Sequence, residues 1–313
     1  MLSVVIPLFN EVQSLEELYT QIVNVLESLG LSFELIFVDD GSRDGSFDVL
    51  RALHEGDPRV VVLQFRRNYG KAVALSAGFE AARGQILITM DADLQDDPAE
   101  IPHLLEKLNE GYDLISGWKF ERHDPFSKIL PSRVFNWIVA RVSGIQIHDF
   151  NCGLKAYRRE VTEDIQLYGQ LHRYLPVLAC HQGYRIGEVK VRHHPRKYGK
   201  TKYGLGRFLY GFLDLFTVLL LTRYITRPLH LFGTIGGVFT LVGFTICSYI
   251  AYLRFHYGSI LGRYPLLWFG ILIMIVGVQL FSTGLLGELI SNAQHERARY
   301  SVKATLDRRL QGS

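Results

Sequence analysis

Apolar and polar positions divide the chain into two differently patterned stretches. In the first, short apolar runs alternate with segments of helical period. Ser3–Leu8, Phe33–Asp39, Val60–Phe65 and Gln85–Asp91 are of strand length and rich in Val, Ile, Leu and Phe. Between them, Ser14–Leu29, Ser46–His54 and Lys71–Arg83 place apolar residues three and four apart, as one face of a helix requires. A strand covered on both faces has no polar side, so its run is continuous rather than alternating. The pattern therefore predicts an α/β domain with a mostly parallel sheet between helical layers.

The second stretch begins near Tyr198. Lys200–Arg227 interleaves Lys200, Lys202, Arg207, Arg223 and Arg227 with Phe208, Leu209, Phe212, Leu215 and Phe216. That mixture predicts amphipathic helices at a membrane surface, the alternative being a buried core helix. Leu229–Leu253 and Pro265–Gly287 follow, without Asp, Glu, Lys or Arg. Each is longer than the roughly 20 residues that cross a hydrocarbon core, so two membrane spans are expected rather than a hairpin inside a soluble core. Arg254–Tyr264 connects them. Arg223 and Arg227 precede the pair, and Arg297, Arg299, Lys303, Arg308 and Arg309 follow it, against Arg254 and Arg263 in the connection. The excess on the terminal sides predicts that both termini are cytoplasmic. Glu288 is expected at the interface. Gly233, Gly236, Gly237 and Gly243 would let helices approach closely and leave a dimer or tetramer open. The expected organisation is a domain over 1–198, a basic loop and interfacial helices over 199–228, a transmembrane hairpin over 229–290 and a basic tail over 291–313.

Composition changes this picture little. Hydrophobic residues make up 48% of the 313, and the excess lies mostly after residue 208. A net charge of +3 gives no argument for a nucleic-acid partner. Cys152, Cys180 and Cys247 are odd in number and widely spaced, which predicts reduced thiols rather than a disulfide framework. The N-terminal Met1–Pro7 has no basic segment and no small-residue cleavage site, so the first domain is expected to stay in the cytosol.

Candidate chemistry gathers where the expected strands end: Asn10-Glu11, Asp39-Asp40-Gly41-Ser42 and Asp91-Ala92-Asp93. Parallel sheets bind ligands beyond those ends. Asp91 and Asp93 could face one ligand from a turn, and oxygen donors suit Mg²⁺ or Mn²⁺ shared with substrate phosphates. Solvated or capping carboxylates are the alternative. Asp39 and Asp40 could accept hydrogen bonds from a base or ribose, while Ser42 or Asp44 could cap the next helix. Neither a dinucleotide fingerprint nor a Walker A sequence is present. Arg122, Ser132 and Arg133 offer donors to a phosphate, unless they are solvated. Arg196-Lys197-Tyr198-Gly199-Lys200 is basic, and juxtamembrane attraction to anionic lipid would also explain it. His193-His194 makes no metal site on spacing alone.

Val5-Ile6-Pro7-Leu8-Phe9-Asn10-Glu11, Val38–Ser42, Arg67-Asn68-Tyr69-Gly70-Lys71 and Met90–Asp96 together resemble the successive motifs of family 2 glycosyltransferases with the GT-A fold. The resemblance covers about residues 1–225. It is nearest to the branch of dolichyl-phosphate mannose synthase and the bacterial polyprenyl-phosphate glucosyltransferases, whose bactoprenol members also have paired spans. It implies transfer of one sugar, with UDP-glucose favoured over GDP-mannose, from a nucleotide-sugar to a polyprenyl phosphate at the cytoplasmic face of the inner or plasma membrane. It also implies roles. Pro7, Asn10, Glu11, Asp39 and Asp40 would line the nucleotide pocket, with Asp91 near base or ribose and Lys71 at the donor site. Asp93 and Gln95 would hold the metal. Arg196 and Lys200 would belong to a loop that folds over the diphosphate. Arg122, Ser132 and Arg133 would take the acceptor phosphate. Asp149, in His148–Lys155, resembles the third acidic motif, a general base where the acceptor is a hydroxyl. A phosphate acceptor, with its second pKa at about 6, is already ionised, so Asp149 would instead position acceptor or sugar. Gln170-Leu171-His172-Arg173-Tyr174 departs from the QxxRW of processive synthases, and two spans are too few for their polymer channel. A glycolipid hydroxyl acceptor and a non-catalytic membrane adaptor are the rival expectations.

Overall fold

The computed structural model describes residues 1–120, 136, 139–141, 144–145, 147–165, 171–195, 197–198, 228–260 and 262–295, with side chains given up to 290. The chain divides into two compact units, Met1–Val218 and Leu219–Ser313. The expected interfacial helices of 200–227 lie outside the described residues.

The first unit is built on a seven-stranded sheet of order β3-β2-β1-β4-β6-β5-β7. The strands are β1 (Leu2–Leu8), β2 (Phe33–Asp39), β3 (Val60–Gln64), β4 (Ile86–Thr89), β5 (Leu114–Lys119), β6 (Lys155–Arg158) and β7 (Ile186–Val191). β6 runs antiparallel to both its neighbours; the other pairs are parallel. Every residue of β1 and β2 is buried, which is why their apolar runs are continuous, whereas the edge strand β3 buries only Val60 and leaves Gln64 exposed.

Helices α1 (Leu15–Ser28), α2 (Ser46–Gly56) and α3 (Lys71–Ala81) are the crossovers between these strands. α1 buries Leu15, Leu18, Ile22, Val23 and Leu26 on one stripe. Each such side chain contributes about 1.5–3 kcal/mol of apolar burial. α3 lies so close to β1 that a Cβ on Gly78 would overlap Val5 Cγ1. Any larger residue there must push the helix off the sheet. α4 (Ile101–Asn109), α5 (Arg159–Asp164) and α6 (Leu175–His181) also belong to the unit.

Register sets up the site. Leu8 pairs with Asp39, Asp39 with Gln64, and Val5 with Thr89. The segments that follow β1, β2, β3 and β4 therefore emerge along one edge of the sheet. Asn10, Asp39-Asp40, Arg67–Lys71 and Asp91–Asp96 all lie there.

The second unit is a helical hairpin of α7 (Pro228–Tyr257) and α8 (Tyr264–His295). Both helices are long and apolar enough to cross a membrane. α7 continues past Leu253 into the expected connection, and Arg254 donates to the carbonyl of Gly258 at its end. A guanidinium suits the negative end of a helix. Glycines seven residues apart form the seam. A Cβ on Gly236 would lie 2.5 Å from the Gly277 carbonyl oxygen, and one on Gly243 would lie 2.6 Å from that of Gly270. A Cβ on Gly277 would lie 2.5 Å from Thr240 N. Such close approach of backbones replaces the missing hydrophobic drive between helices in lipid. Gly237 has no such neighbour within 4 Å. Glu288 accepts the Leu229 N–H at 3.2 Å. The acidic residue thus caps the positive end of the neighbouring helix. Leu241, Phe244, Tyr252, Trp268 and Leu272 stay exposed on the outside, as lipid-facing residues would.

Candidate active site

Two groups of loops make the site. The first joins the ends of β1 and β2 by hydrogen bonds rather than by charge. Asn10 has a positive φ of 53°. Its N–H donates to Ser42 Oγ at 2.8 Å, and its Oδ1 accepts from Arg43 N at 2.8 Å. Glu11 N donates to Ser46 Oγ at 3.1 Å and Val12 N to Asp44 Oδ2 at 3.1 Å. The residue that precedes α2 is Gly45, whereas Ser42 and Asp44 bind the β1 loop. Burial pushes the Asp44 carboxyl up, but the Ser46 hydroxyl and the Val12 N–H more than offset it and hold it low.

Asp39 is fully buried; it accepts Ser42 N at 2.8 Å and Gln64 Nε2 at 3.3 Å. Asp40 accepts Tyr69 N at 2.7 Å and Gly70 N at 2.9 Å, one on each oxygen. Both Asp40 oxygens thereby hold the loop that leads into α3. Burial pushes the Asp40 carboxyl up despite those two N–H groups. Gly41 has φ 76°, and a Cβ there would lie 2.7 Å from the Arg67 carbonyl carbon, so only glycine permits this approach.

The second group is the acidic turn after β4. Asp91 forms an ion pair with Lys71 from the first turn of α3. Burial raises the Asp91 carboxyl, yet Lys71, Lys119 and Lys155 outweigh it and hold its pKa at about 2. Leu94 has φ 60°, which reverses the chain between Asp93 and Gln95. Asp93 Oδ1 accepts Gln95 N at 3.2 Å. Gln95 Nε2 lies 3.5 Å from His193 Nε2 and 3.5 Å from the His194 carbonyl oxygen. Asp97 caps the following 3-10 turn by accepting Ala99 N at 2.9 Å. The segment after β7 runs beside this turn: His194 N donates to Gln95 O at 2.9 Å, and His193 bridges Asp96 by backbone.

Asp149 is buried close by. Its Oδ1 accepts Asn151 N at 3.0 Å, and its carbonyl accepts Ser116 Oγ at 3.1 Å. Lys155 donates to the Cys152 carbonyl beneath it, and burial pulls that ammonium below the ordinary lysine range. Burial pushes the Cys152 thiol up to about 12, which makes it inert at neutral pH.

Pro7, Asn10, Glu11, Asp39, Asp40, Lys71, Asp91, Asp93, Gln95 and Asp149 thus stand at one edge of the sheet. Arg122, Ser132, Arg133, Arg196 and Lys200 lie outside the described residues. Sequence reasoning passed over Asp96, Lys119, Lys155 and Gly153. Asp96 closes the quoted stretch Met90–Asp96 and Gly153 and Lys155 lie in His148–Lys155, whereas for Lys119 a lysine closing an apolar strand was the available signal.

Among the described residues, no group of three or more His, Cys, Asp and Glu is gathered as a metal cage. The turn offers hard oxygens instead, from the Asp93 carboxylate and the Gln95 amide, with Asp91 beside them. One or two such side chains suit Mg²⁺ or Mn²⁺ whose other ligands are substrate phosphates and water. The residues fit a cation shared with a diphosphate and do not fit a structural metal.

A mixed sheet with acidic residues crowded at its parallel strand ends is the architecture expected of the GT-A fold. Residues 3–166 match the description Glycosyl transferase family 2, and the chain belongs to that family. It is 35% identical over 299 residues to a dodecaprenyl-phosphate galacturonate synthase of Rhizobium johnstonii, covering 94% of this chain and 88% of that protein. It is 39% identical over 302 residues to an undecaprenyl-phosphate 4-deoxy-4-formamido-L-arabinose transferase of Pseudomonas aeruginosa, covering 96% and 88%. Among solved structures, glucosyl-3-phosphoglycerate synthase from Mycobacterium tuberculosis with uridine diphosphate superposes with a TM-score of 0.54 at 21% identity, over 71% of this chain and 79% of that one. The same enzyme with Mn²⁺, UDP-glucose and glycerol 3-phosphate gives 0.53 at 20% identity, over 71% and 79%. These superpositions bear out the fold.

Proposed function

We propose that this glycosyltransferase moves one sugar from a nucleotide-sugar to a polyprenyl phosphate at the cytoplasmic face of the membrane. The observation that carries the proposal is the acidic turn Asp91–Asp96 at the end of β4, in a chain that also has two helices of membrane-spanning length. The relatives named for polyprenyl-phosphate sugar transfer extend over nearly the whole chain, hairpin included, and support the acceptor class.

In this mechanism an oxygen of the lipid phosphate attacks the anomeric carbon, the bond from that carbon to the diphosphate breaks, and the nucleoside diphosphate leaves. Attack in line with the leaving group inverts the centre. A divalent cation held by Asp93 and Gln95 would supply charge neutralisation at the leaving diphosphate. The protein's own residues do the rest. Lys71 sits where its ammonium can turn from Asp91 to a diphosphate oxygen. The β1–β2 rim, with Asn10, Glu11 and Asp39, receives the nucleoside. Asp149 positions the acceptor or sugar; an ionised phosphate needs no general base. Arg122, Ser132 and Arg133 take the acceptor phosphate, and Arg196 with Lys200 covers the diphosphate. UDP-glucose is the donor we favour, and nucleotide-linked galacturonate and 4-deoxy-4-formamido-L-arabinose belong beside it in any panel.

The test is direct. Purified protein is incubated with undecaprenyl phosphate, Mg²⁺ or Mn²⁺ and the donor panel, and the lipid fraction is read by mass spectrometry. A lipid-phosphate sugar from one donor, absent with EDTA, is the expected product. Unmodified lipid with every donor removes the polyprenyl-phosphate assignment.

A further inference from the structure

We propose that Lys119 and Asp96, an ion pair of a half-buried ammonium and a buried carboxylate which touches neither substrate nor metal, positions the acidic turn and thereby sets the site's affinity for its divalent cation. The proposal rests on Asp93 and Gln95 being the residues that meet the cation.

Asp96 is almost fully buried, at 2% exposure. Its Oδ1 faces Lys119 Nζ at 3.3 Å and His193 Nδ1 at 4.0 Å. Its Oδ2 receives the Asp91 N–H at 3.4 Å. Lys119 is the last residue of β5, and β6 stands between β5 and β4 in the sheet. The pair therefore ties the β4 turn to a strand two places away. Asp96 is also bridged through its backbone to His193, just past β7.

Asp91 and Asp96 are the two ends of the turn, and Asp93 and Gln95 are its middle. Gly153 reports how tightly the ends converge. A Cβ on it would lie 2.6 Å from Asp91 Oδ2 and 2.7 Å from Asp96 Oδ2. Two carboxylates drawn towards one point repel unless each has a cation. Lys71 serves Asp91 and Lys119 serves Asp96. Burial opposes charge on Lys119, but Asp96 above all, with Asp91 and Asp149 behind it, keeps its ammonium charged well above the ordinary lysine range. Without Lys119, Asp96 would be a buried carboxylate facing a second one. It would turn outward, and that releases one end of the turn. Asp93 and Gln95 would then have to be ordered by the arriving cation, which lowers affinity.

The experiment is Mn²⁺ titration followed by electron paramagnetic resonance, with uridine diphosphate present, on the full-length protein in detergent. Steady-state kinetics and thermal midpoints are measured beside it. Lys119→Met should weaken Mn²⁺ binding by about tenfold or more, as removal of supporting residues around metal ligands does. Turnover at saturating Mn²⁺ should change much less, and Lys119→Arg should recover most of the affinity. The double variant Asp96→Asn/Lys119→Met buries no uncompensated charge, so it keeps the test valid if the single variant does not fold. It should fold and still bind Mn²⁺ weakly. Wild-type Mn²⁺ affinity in folded Lys119→Met and in the double variant overturns the proposal. So does a loss of turnover and thermal midpoint with affinity unchanged. If the wild-type protein itself takes up no Mn²⁺ with uridine diphosphate, the metal role of the turn fails first, and the proposal falls with it.

Discussion

The rim formed after β1 and β2 and the turn formed after β4 both gather carboxylates, yet they neutralise them differently. On the rim, Asp39, Asp40 and Asp44 accept hydrogen bonds from backbone N–H groups and from Gln64 and Ser46 side chains. In the turn, Asp91 and Asp96 meet lysines from α3 and β5. Hydrogen bonds to fixed N–H groups make a rigid rim that need not change when a nucleoside arrives. The Lys119–Asp96 pair holds one end of the turn, whereas at the more open Asp91 an incoming metal or diphosphate can compete with the ion pair to Lys71. The difference assigns shape to the first region and electrostatic response to the second.

The largest expected effect breaks the turn's chemistry while sparing its frame. Asp93→Asn should lower turnover by on the order of 10²–10³-fold, the scale of losing one preorganised charge contact at a transition state. The protein should still fold and insert. Retained activity in the lipid assay would remove Asp93 from the metal role.

Next in size is Lys71→Met. Lys71 is one of the two cations the turn already holds, and it stands nearest to a donor diphosphate in the proposed mechanism. Its loss should raise the donor KM by about tenfold, the cost of one charge-assisted contact. An unchanged KM with a lowered thermal midpoint would make Lys71 a partner of Asp91 alone.

The ion pair also has a pH signature, in the same direction as that of Asp44 on the rim. The Asp91 carboxyl sits at about 2 in the folded chain against an ordinary value of 3.8. Between those values the unfolded chain binds the extra proton, so stability rises with pH across that window. The contribution is complete above about pH 4 and is lost as pH falls towards 2. Asp91→Asn should flatten the dependence of the urea midpoint on pH in this range. An unaltered slope would place the acid sensitivity elsewhere, for instance at Asp57, which Arg59 also holds at about 2.

The same contrast explains what could be read from the sequence. The first four strands and three helices were legible to within about two residues, because continuous apolar runs and apolar residues three and four apart mark strand and helix along the chain itself. The rim was legible only as a cluster of turn and capping residue types, since Ser42 and Asp44 hold Asn10 and Val12, each 32 residues back along the chain. β6 was not. Lys155–Arg158 is four residues long and mixes Lys, Tyr and Arg, and its antiparallel insertion between β4 and β5 leaves no local pattern. The pairings Lys71–Asp91 and Lys119–Asp96 were hidden for the same reason: strand order, rather than spacing along the chain, brings them together. In the hairpin, length and apolarity announced the spans, whereas the seam of Gly236, Gly243, Gly270 and Gly277 needed the facing helix to be seen.

The smallest effect expected tests the rigid side. Asp40→Asn keeps the size of the side chain but offers one acceptor oxygen where two N–H groups, of Tyr69 and Gly70, now bind. One of them would face an amide NH₂ and go unpaired, at a cost of about 1–3 kcal/mol in urea unfolding. Burial already disfavours the charged carboxylate here, so losing that charge offsets part of the cost and puts the result at the low end of the range. Turnover at saturating donor should hardly move, because Asp40 reaches the site only through the loop it holds. A collapse of turnover with stability intact would instead bring Asp40 into direct contact with the donor, and the division between a shaping rim and a responding turn would have to be redrawn.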